Sequence, residues 1–294
     1  MPFVAGNRRG IAAMTLGMTL FVINDALIKF VSQSLPTGQI IFLRGLLAVG
    51  IALAFAAATG VLHRARAAMA PAVAVRAAID AVATFLYLVA LFNMPIGNIT
   101  AINLASPLIL TALAVVVLGE RVGWRRWSAV MVGFLGVLLV VQPRTDGFTA
   151  FSILALVATG LHAARDMVTR RIDPAVPSLI VTLSTAATVT VCALAVSLVE
   201  GWRPVDGLHA GLLVAASLFL TGGYFLAIDA MRHGEMSVVA PFRYSGLLAA
   251  LAAGYVVWGE IPNALASAGI VLLIGSGLYI LQRERVRRAE AQSG

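Results

Sequence analysis

A pattern of charged residues occurs twice in segments that are otherwise apolar. The matched pairs, each separated by 141 residues, are Asp25 with Asp166, Lys29 with Arg170, and Pro36 with Pro177. On a helix, an acid four residues before a base lies on the same face and can form an ion pair. A charge at the centre of a bilayer costs about 2.5–3.5 kcal/mol on insertion scales, so such charges often mark function. Two interpretations stay open: each pair stabilises its own helix, or each pair gates one end of a pathway.

Other polar residues in the apolar segments are candidates to line a cavity that holds a small molecule, with core packing as the alternative. Asn24 and Arg165 occupy equivalent positions beside the two acids. Tyr87 and Tyr224 match at an offset of 137, and an aromatic ring with a polar tip can pack an apolar group while donating a hydrogen bond. Arg243 breaks the symmetry, and its guanidinium can hold a carboxylate bidentately. The full candidate set is Asn24, Tyr87, Asn103, His162, Arg165, Tyr224, Arg243 and Tyr244.

The sequence also leaves open a proton-relay role for two histidines and the partner of one arginine. Histidine titrates near neutral pH, so His162 and His233 are candidates to relay protons, with a structural role as the alternative. Arg44 lies inside a span, and we expect it to have a structural partner there, with Asp80 as the candidate.

The composition excludes an ordinary soluble domain. The chain of 294 residues is 60% hydrophobic and 12% charged, with a mean hydropathy of +0.95, whereas roughly a quarter of the residues of a soluble domain are charged. Its apolar runs are long enough to cross a bilayer as helices and do not alternate as barrel strands do. The sequence therefore predicts an all-α integral membrane protein. The ten predicted spans are residues 10–31, 38–59, 72–92, 97–118, 124–141, 149–170, 178–199, 207–231, 237–258 and 264–281.

The positions of the basic residues predict the orientation in the membrane. The net charge is +8. If both termini are cytoplasmic, the outer loops hold only Arg144 and Arg203 among the arginines, and the other loop arginines all lie inside. The positive-inside rule favours this orientation. We therefore predict a multi-pass protein of the cell inner membrane, whose basic C-terminal segment contacts lipid headgroups and not nucleic acid.

The two halves of the chain match each other in order, which indicates a duplication. Besides the 141-residue matches, residues 118–120 (LGE) match residues 258–260 (WGE) at an offset of 140. We therefore predict two five-helix repeats, residues 1–142 and 143–294. Because five is odd, the second repeat is inserted upside-down, as in secondary transporters whose sites lie near the midplane between inverted repeats. Pro107 and Pro241 lie in equivalent spans and are predicted hinges, with static kinks as the alternative.

Several of these segments resemble one known family. The residues that carry the resemblance are Arg44 in "FLRGLLA", the run "YLVALFNMPIGNITAINLASP" that leads to "LGE", and the similar layout that ends in "WGE". In them the chain resembles the drug/metabolite transporter superfamily, and within it the EamA family and its YddG-type amino-acid exporters. The resemblance implies a basket of two inverted five-helix bundles around a central cavity lined mainly by helices 1, 3, 4, 6, 8 and 9.

The resemblance and the charges together predict a secondary transporter that exports amino acids, aromatic or otherwise neutral, or similar small metabolites by alternating access. The charges within or bordering the spans are balanced, which suits a zwitterion; they are Lys29, Arg44, Arg165 and Arg243 against Asp25, Asp80, Asp166 and Asp229. An exporter of another metabolite or of a drug is the alternative. An integral-membrane enzyme that modifies lipid is a third hypothesis.

Motifs for other chemistry are missing from the sequence. There is no Walker A glycine loop, no His/Cys cluster with metal-ligand spacing and no nucleophile elbow. We therefore expect no enzymatic activity, no cofactor and no metal. Cys192 is the only cysteine, so it cannot form an intramolecular disulfide, and we expect it to be structural. We expect the protein to function as a monomer.

Overall fold

The computed structural model describes residues 2–118, 124–142, 150–169, 171–233 and 236–293, and the regular elements in these ranges are all helices. The α-helices are α1 (Pro2–Val31), α2 (Thr37–Ala58), α3 (Pro71–Asn93), α4 (Ile96–Asn103), α5 (Ser106–Leu118), α6 (Trp124–Val141), α7 (Ala150–Thr169), α8 (Ser178–Glu200), α9 (Gly207–His233), α10 (Met236–Val239), α11 (Ser245–Trp258) and α12 (Ala264–Ser293). Two 3-10 helices cover Val61–Met69 and Ala240–Tyr244. The predicted all-α class is therefore confirmed for the described residues.

Each predicted span coincides with one or two of these helices. Within the described ranges, seven segments are long and apolar enough to cross a membrane: Asn7–Val31, Thr37–Ala58, Pro71–Asn93, Ile96–Val117, Ala150–Thr169, Ser178–Glu200 and Gly207–Ala230. Shorter apolar helices cover Trp127–Val141 and Ala264–Tyr279. The chain is thus a multi-pass membrane protein, while the ten-span inverted arrangement and its orientation stay predictions.

Proline and glycine set several helix ends. α2 and α8 begin directly after Pro36 and Pro177, each in an extended conformation. Proline lacks an N–H, and the N–H groups at the start of a helix have no intrahelical partner, so it is well tolerated there. These prolines belong to the repeated pattern, so the repeat has the same local effect in both halves. At the opposite ends of α8 and α11, Gly201 and Gly259 have φ of 80° and 66°, which glycine adopts without steric cost.

Two of the predicted spans are interrupted. Leu104 and Ala105 form a turn between α4 and α5, so Pro107 lies in the first turn of α5. In the other span, the 3-10 helix Ala240–Tyr244 contains Pro241 and separates α10 from α11. Because proline removes a backbone donor and clashes with the preceding turn, both interruptions fall where the sequence places proline.

Long helix pairs form the body of the protein: α1 packs along α9, α3 along α7, α2 along α8, and α6 along α12. Small residues allow two of these pairs to approach closely. A Cβ at Gly17 of α1 would lie 3.1 Å from the carbonyl oxygen of Gly223 in α9, and one at Gly136 of α6 would lie 2.7 Å from that of Gly269 in α12. Helices in lipid depend on such close packing for their association, so these pairs fix the frame that positions the polar residues.

Candidate functional site

Asp25 lies at the centre of a group of polar side chains that joins three helices. Its Oδ2 accepts a hydrogen bond of 2.7 Å from the Tyr87 hydroxyl of α3. Its Oδ1 accepts one of 2.8 Å from Asn24 Nδ2, and Arg44 Nη1 of α2 donates to Asn24 Oδ1 at 3.4 Å. Asn24 and Arg44 are buried. Because a polar group in apolar surroundings needs hydrogen-bond partners, these contacts hold α1, α2 and α3 together around Asp25.

The same group extends to two further helices. The ring of His162 in α7 lies with its centroid 6.0 Å from that of Tyr87, and His162 Nδ1 lies 3.3 Å from Asn103 Oδ1. Asn103 is the last residue of α4, directly before the break in that span. The structure therefore brings together four of the predicted cavity residues with Asp25 and Arg44. We call this set the central network; its members are Asn24, Asp25, Arg44, Tyr87, Asn103 and His162.

Arg165 forms a separate ion cluster between α3 and α7. Its Nη1 lies 2.5 Å from Asp80 Oδ1 of α3, and its Nη2 lies 2.8 Å from Asp166 Oδ1. Asp80 and Tyr87 are seven residues apart on α3, about 10 Å at 1.5 Å per residue. The repeated acids thus contact α3 at different levels, Asp25 directly at Tyr87 and Asp166 through Arg165 at Asp80. We call Asp80, Arg165 and Asp166 the ion cluster.

Lys29 joins the end of α1 to two other segments. Its Nζ donates to Glu260 Oε1 at 2.7 Å and to the Met94 carbonyl at 2.8 Å, and it lies 4.8 Å from the centre of the Trp258 ring. Glu260 Oε2 accepts a hydrogen bond of 2.8 Å from the backbone N–H of Ile96. Lys29 is buried. We call the contacts of Lys29 and Glu260 with the Met94 and Ile96 backbone the Lys29 clasp.

The predicted ion pair of Asp25 with Lys29 is wrong. Lys29 pairs with Glu260, while both carboxylate oxygens of Asp25 accept hydrogen bonds from Asn24 and Tyr87. The two residues share a helix face, but other segments bring better-placed partners to each of them. A contact within one helix can be predicted from spacing, whereas a competing partner 231 residues away in the chain cannot.

Two other predicted pairings also change. Asp80 pairs with Arg165 and not with Arg44, because α3 packs along α7. Asp166 pairs with Arg165, the preceding residue. Arg170, its predicted partner, lies outside the described residues.

The remaining three predicted cavity residues, Tyr224, Arg243 and Tyr244, have different surroundings. Tyr224 is 54% exposed, packs edge-on against Phe21 at 4.9 Å and lies within electrostatic range of Asp80, Arg165 and Arg44. Its position beside these charges keeps it a candidate for the cavity wall.

Arg243 and Tyr244 lie apart from the central network. Arg243 is exposed on its 3-10 helix and makes no ion pair within the described ranges. Tyr244 is buried, with its hydroxyl in the space that a side chain at Gly277 of α12 would need. The structure therefore packs Tyr244 between helices, which corrects its predicted place in the cavity wall.

Sequence reasoning missed the contacts of Arg44 and Glu260. It predicts a structural ion pair for Arg44, and it gives Glu260 only as the end of the repeated "GE" motif. That repeat was the available signal for Glu260, since a glutamate present in both matched segments is a candidate for a shared contact.

In the searched part of the chain, no three His, Cys, Asp or Glu side chains are grouped as a metal site would require.

An apolar cavity of about 140 Å³ lies apart from these polar groups. It is enclosed by α5, α6 and α7, next to the break between α4 and α5, and its lining includes Ala105, Leu108, Phe134 and Val137. It has almost no polar surface, so it lacks the groups that orient a polar ligand.

Comparison with known proteins supports the predicted resemblance. Residues 8–142 match the model of the EamA-like transporter family. It is 24% identical to the pseudopaline exporter of Pseudomonas aeruginosa over 91% of this chain and 94% of the relative. It is 25% identical to the S-adenosylmethionine uptake transporter of Rickettsia prowazekii over 65% of each chain, and 24% identical to the riboflavin transporter of Vibrio cholerae over 92% of each.

These matches confirm the predicted superfamily and the prediction of a transporter as opposed to an enzyme. They do not single out amino acids, because the relatives are named for three other small molecules and for both export and uptake. A solved crystal structure matches 93% of this chain over 98% of its own, with a TM-score of 0.58 and 21% identity. That likeness shows a shared fold over nearly the whole length.

Proposed function

We propose that this protein is an EamA-type transporter that exports amino acids or similar small metabolites across the cell inner membrane by alternating access, as a monomer with ten spans and both termini in the cytoplasm. The observation that carries the proposal is the central network, in which polar side chains from α1, α2, α3, α4 and α7 meet inside an apolar helical bundle. Polar groups at such positions usually face a water-filled cavity or one another and mark a substrate path.

The helix contacts support the proposed pair of inverted repeats. Under that scheme α1, α2, α3 and α6 correspond to α7, α8, α9 and α12, and α4 with α5 corresponds to α10 with α11. The contact α1–α9 then maps onto α7–α3, α2–α9 onto α8–α3, and α1–α11 onto α7–α5, and both members of each set pack together. The pairs α2–α8 and α6–α12 map onto themselves. A two-fold axis in the membrane plane predicts this pattern.

The surroundings of Tyr224 support a water-accessible chamber beside the network. Tyr224 combines an exposed side chain with closeness to Asp80, Arg165 and Arg44, and lipid is a poor environment for such charges. Tyr224 lies nearer to the end of α9 than to its start, at the level that the proposed orientation assigns to the cytoplasmic half. We therefore propose that the chamber of this conformation opens to the cytoplasm.

The Lys29 clasp supplies the proposed gate at the opposite end. It ties the end of α1 to the segments after α3 and α11, so it draws together helices from both repeats. Substrate enters the open chamber while the clasp is closed, and opening of the clasp releases it outward. The broken spans at Pro107 and Pro241 are the proposed hinges, because half-helices can tilt without breaking a continuous ladder of backbone hydrogen bonds.

A second candidate is a transporter of a different small metabolite. The relatives named for pseudopaline, S-adenosylmethionine and riboflavin favour it, because proteins of similar length and sequence serve chemically different substrates. The proposed fold and gate are the same for both candidates. The candidates differ only in which small molecule binds at the central network.

Transport by purified protein in liposomes tests the proposal. We expect saturable uptake of at least one neutral radiolabelled amino acid, and a fall of about tenfold for Tyr87→Ala, which loses a charge-assisted hydrogen bond to Asp25 and its contact with His162. Tyr255→Ala is the matched control, because that tyrosine is 62% exposed on α11. Runs with and without a pH gradient determine whether protons are coupled.

The outcomes separate the candidates. Saturable transport of riboflavin or S-adenosylmethionine without any amino acid supports the second candidate and removes the first. A protein that is folded and reconstituted but transports neither class contradicts both.

A further inference from the structure

Arg44 is a buried guanidinium with almost none of its hydrogen-bonding capacity used. It is 9% exposed, and its contact with a protein acceptor in the described ranges is the bond of 3.4 Å to Asn24 Oδ1. A guanidinium carries five N–H donors in a planar fork and has no neutral form at physiological pH. Most N–H groups of Arg44 therefore have no protein acceptor in the described ranges, although the side chain is buried in an apolar bundle. A bound ligand could supply the acceptor.

Three other basic side chains form direct ion pairs with carboxylates, unlike Arg44. Lys29 pairs with Glu260, Arg165 with Asp80, and Arg9 with Asp229. Arg44 forms no such pair among the described residues, although it is less exposed than Arg9 or Arg165. The carboxylate of Asp25 lies within electrostatic range of Arg44 but forms no direct ion pair with it, and a buried charge without a direct partner is costly.

Arg44 lies near side chains of three other helices. It lies within electrostatic range of Asp25, Tyr87 and Tyr224, which come from α1, α3 and α9. Two of these belong to the central network, and Tyr224 is exposed. A ligand in the chamber would therefore meet a guanidinium and, close beside it, the carboxylate of Asp25.

We propose that Arg44 binds the carboxylate of the transported substrate, and that Asp25 faces its ammonium group, so that the substrate class is the zwitterionic α-amino carboxylates. A carboxylate fits the two parallel N–H groups of a guanidinium and completes its missing hydrogen bonds. Asp25 repels a second anionic group and attracts a cationic one at short range. This inference rests on the proposed function, and it assigns Arg44 the carboxylate-binding role that the sequence suggested for Arg243.

The test uses matched ligands that differ only in the carboxylate. Wild-type protein in detergent is heated with L-phenylalanine or L-phenylalaninamide, and with L-leucine or L-leucinamide, and the apparent Kd comes from the shift in unfolding temperature. We expect the acid of at least one pair to bind 10–100-fold more tightly than its amide, the range expected for a lost charge-assisted hydrogen bond. Arg44→Gln should remove that difference, and Arg44→Lys should keep part of it.

Arg76→Gln is the matched control, because Arg76 binds the hydroxyls of Thr169 and Thr185 and does not belong to the central network. It should discriminate acid from amide as the wild type does. Equal binding of acid and amide by the wild type overturns the inference without any variant, so poor folding of Arg44→Gln does not protect it. Binding of riboflavin but of neither acid also overturns it, while the proposal of a transporter survives; saturable uptake in liposomes tests that separately.

Discussion

Asp25 and Asp166 come from the same repeated sequence pattern, yet the structure surrounds them differently. Asp25 accepts hydrogen bonds from two neutral donors, Asn24 and Tyr87. Asp166 pairs with a charged neighbour, Arg165, which also binds Asp80. The residue before each acid makes the difference, since an asparagine stands in one copy where the other has an arginine. Two matched segments can therefore share the same helix ends while one acid joins a network of neutral polar groups and the other joins an ionic contact between helices.

The largest effect should come from breaking the ion cluster. Arg165→Gln leaves Asp80 and Asp166 close together without their cation, and we expect a loss of about 2–3 kcal/mol in the free energy of unfolding, less than the roughly 3–5 kcal/mol for fully buried pairs, because these side chains are partly exposed. Asp25→Asn should cost about 1 kcal/mol, since an amide still accepts a hydrogen bond from Tyr87. Unfolding in mixed micelles measures both. Equal losses for the two variants would remove the distinction between the copies.

The second prediction concerns Lys29, the basic residue of the first repeated pattern, and its ion pair with Glu260. Lys29→Met and Glu260→Gln should each cost about 1.5–2 kcal/mol, the usual range for a charged hydrogen bond, and the double variant should cost less than their sum because the two side chains contact each other. A double-mutant cycle in the same micelles gives the coupling. Under the proposed gate, transport falls in both single variants, and additive energies would argue against a direct pair.

A smaller loss of stability is expected when the hydroxyl of either matched tyrosine, Tyr87 or Tyr224, is removed. Tyr87→Phe removes the hydrogen bond to Asp25 and should cost about 1 kcal/mol. Tyr224→Phe should leave stability nearly unchanged, because the described contact of Tyr224 is the packing of its ring against Phe21. Thermal unfolding of the two variants side by side checks this. A larger loss for Tyr224→Phe would mean that its hydroxyl has a structural partner.

The smallest effect on stability is expected for Asp206, an exposed carboxylate in the loop before α9. Its Oδ1 caps the helix by accepting the backbone N–H of His209 at 2.8 Å, and that hydrogen bond lowers the pKa of the Asp206 carboxyl. A lowered pKa in the folded state contributes stability above the unfolded value of about 3.9, and that stability is lost as pH falls through the folded pKa. Asp206→Asn should therefore slightly flatten the acid limb of stability against pH. The variant should be slightly less stable than the wild type at pH 7 and should match it below the folded pKa, so a difference that persists in acid would contradict this origin.

Some of the candidate site could be read from residue types alone. Asn24, Tyr87, Asn103 and His162 were predicted as cavity residues because polar side chains are rare in apolar spans, and the structure brings them together. Tyr244 was placed with them on the same ground and packs against α12 instead. The difference lies in which face of a span meets which neighbour, and an apolar helix gives little periodicity from which to infer it.

The sequence by itself determined the helical membrane class, the approximate positions of the apolar helices and the places where two of them break, because chain hydropathy, lipid thickness and the lack of an N–H in proline act locally. The resemblance to the EamA family followed from the same local motifs. Only the tertiary structure decided the partners. Glu260 reaches Lys29 across 231 residues, Arg165 pairs with Asp80 of α3, and Arg44 keeps most of its N–H donors without a protein acceptor in the described ranges. Partner choice depends on distances of a few ångströms between helices far apart in the chain, and no spacing along one segment encodes such distances.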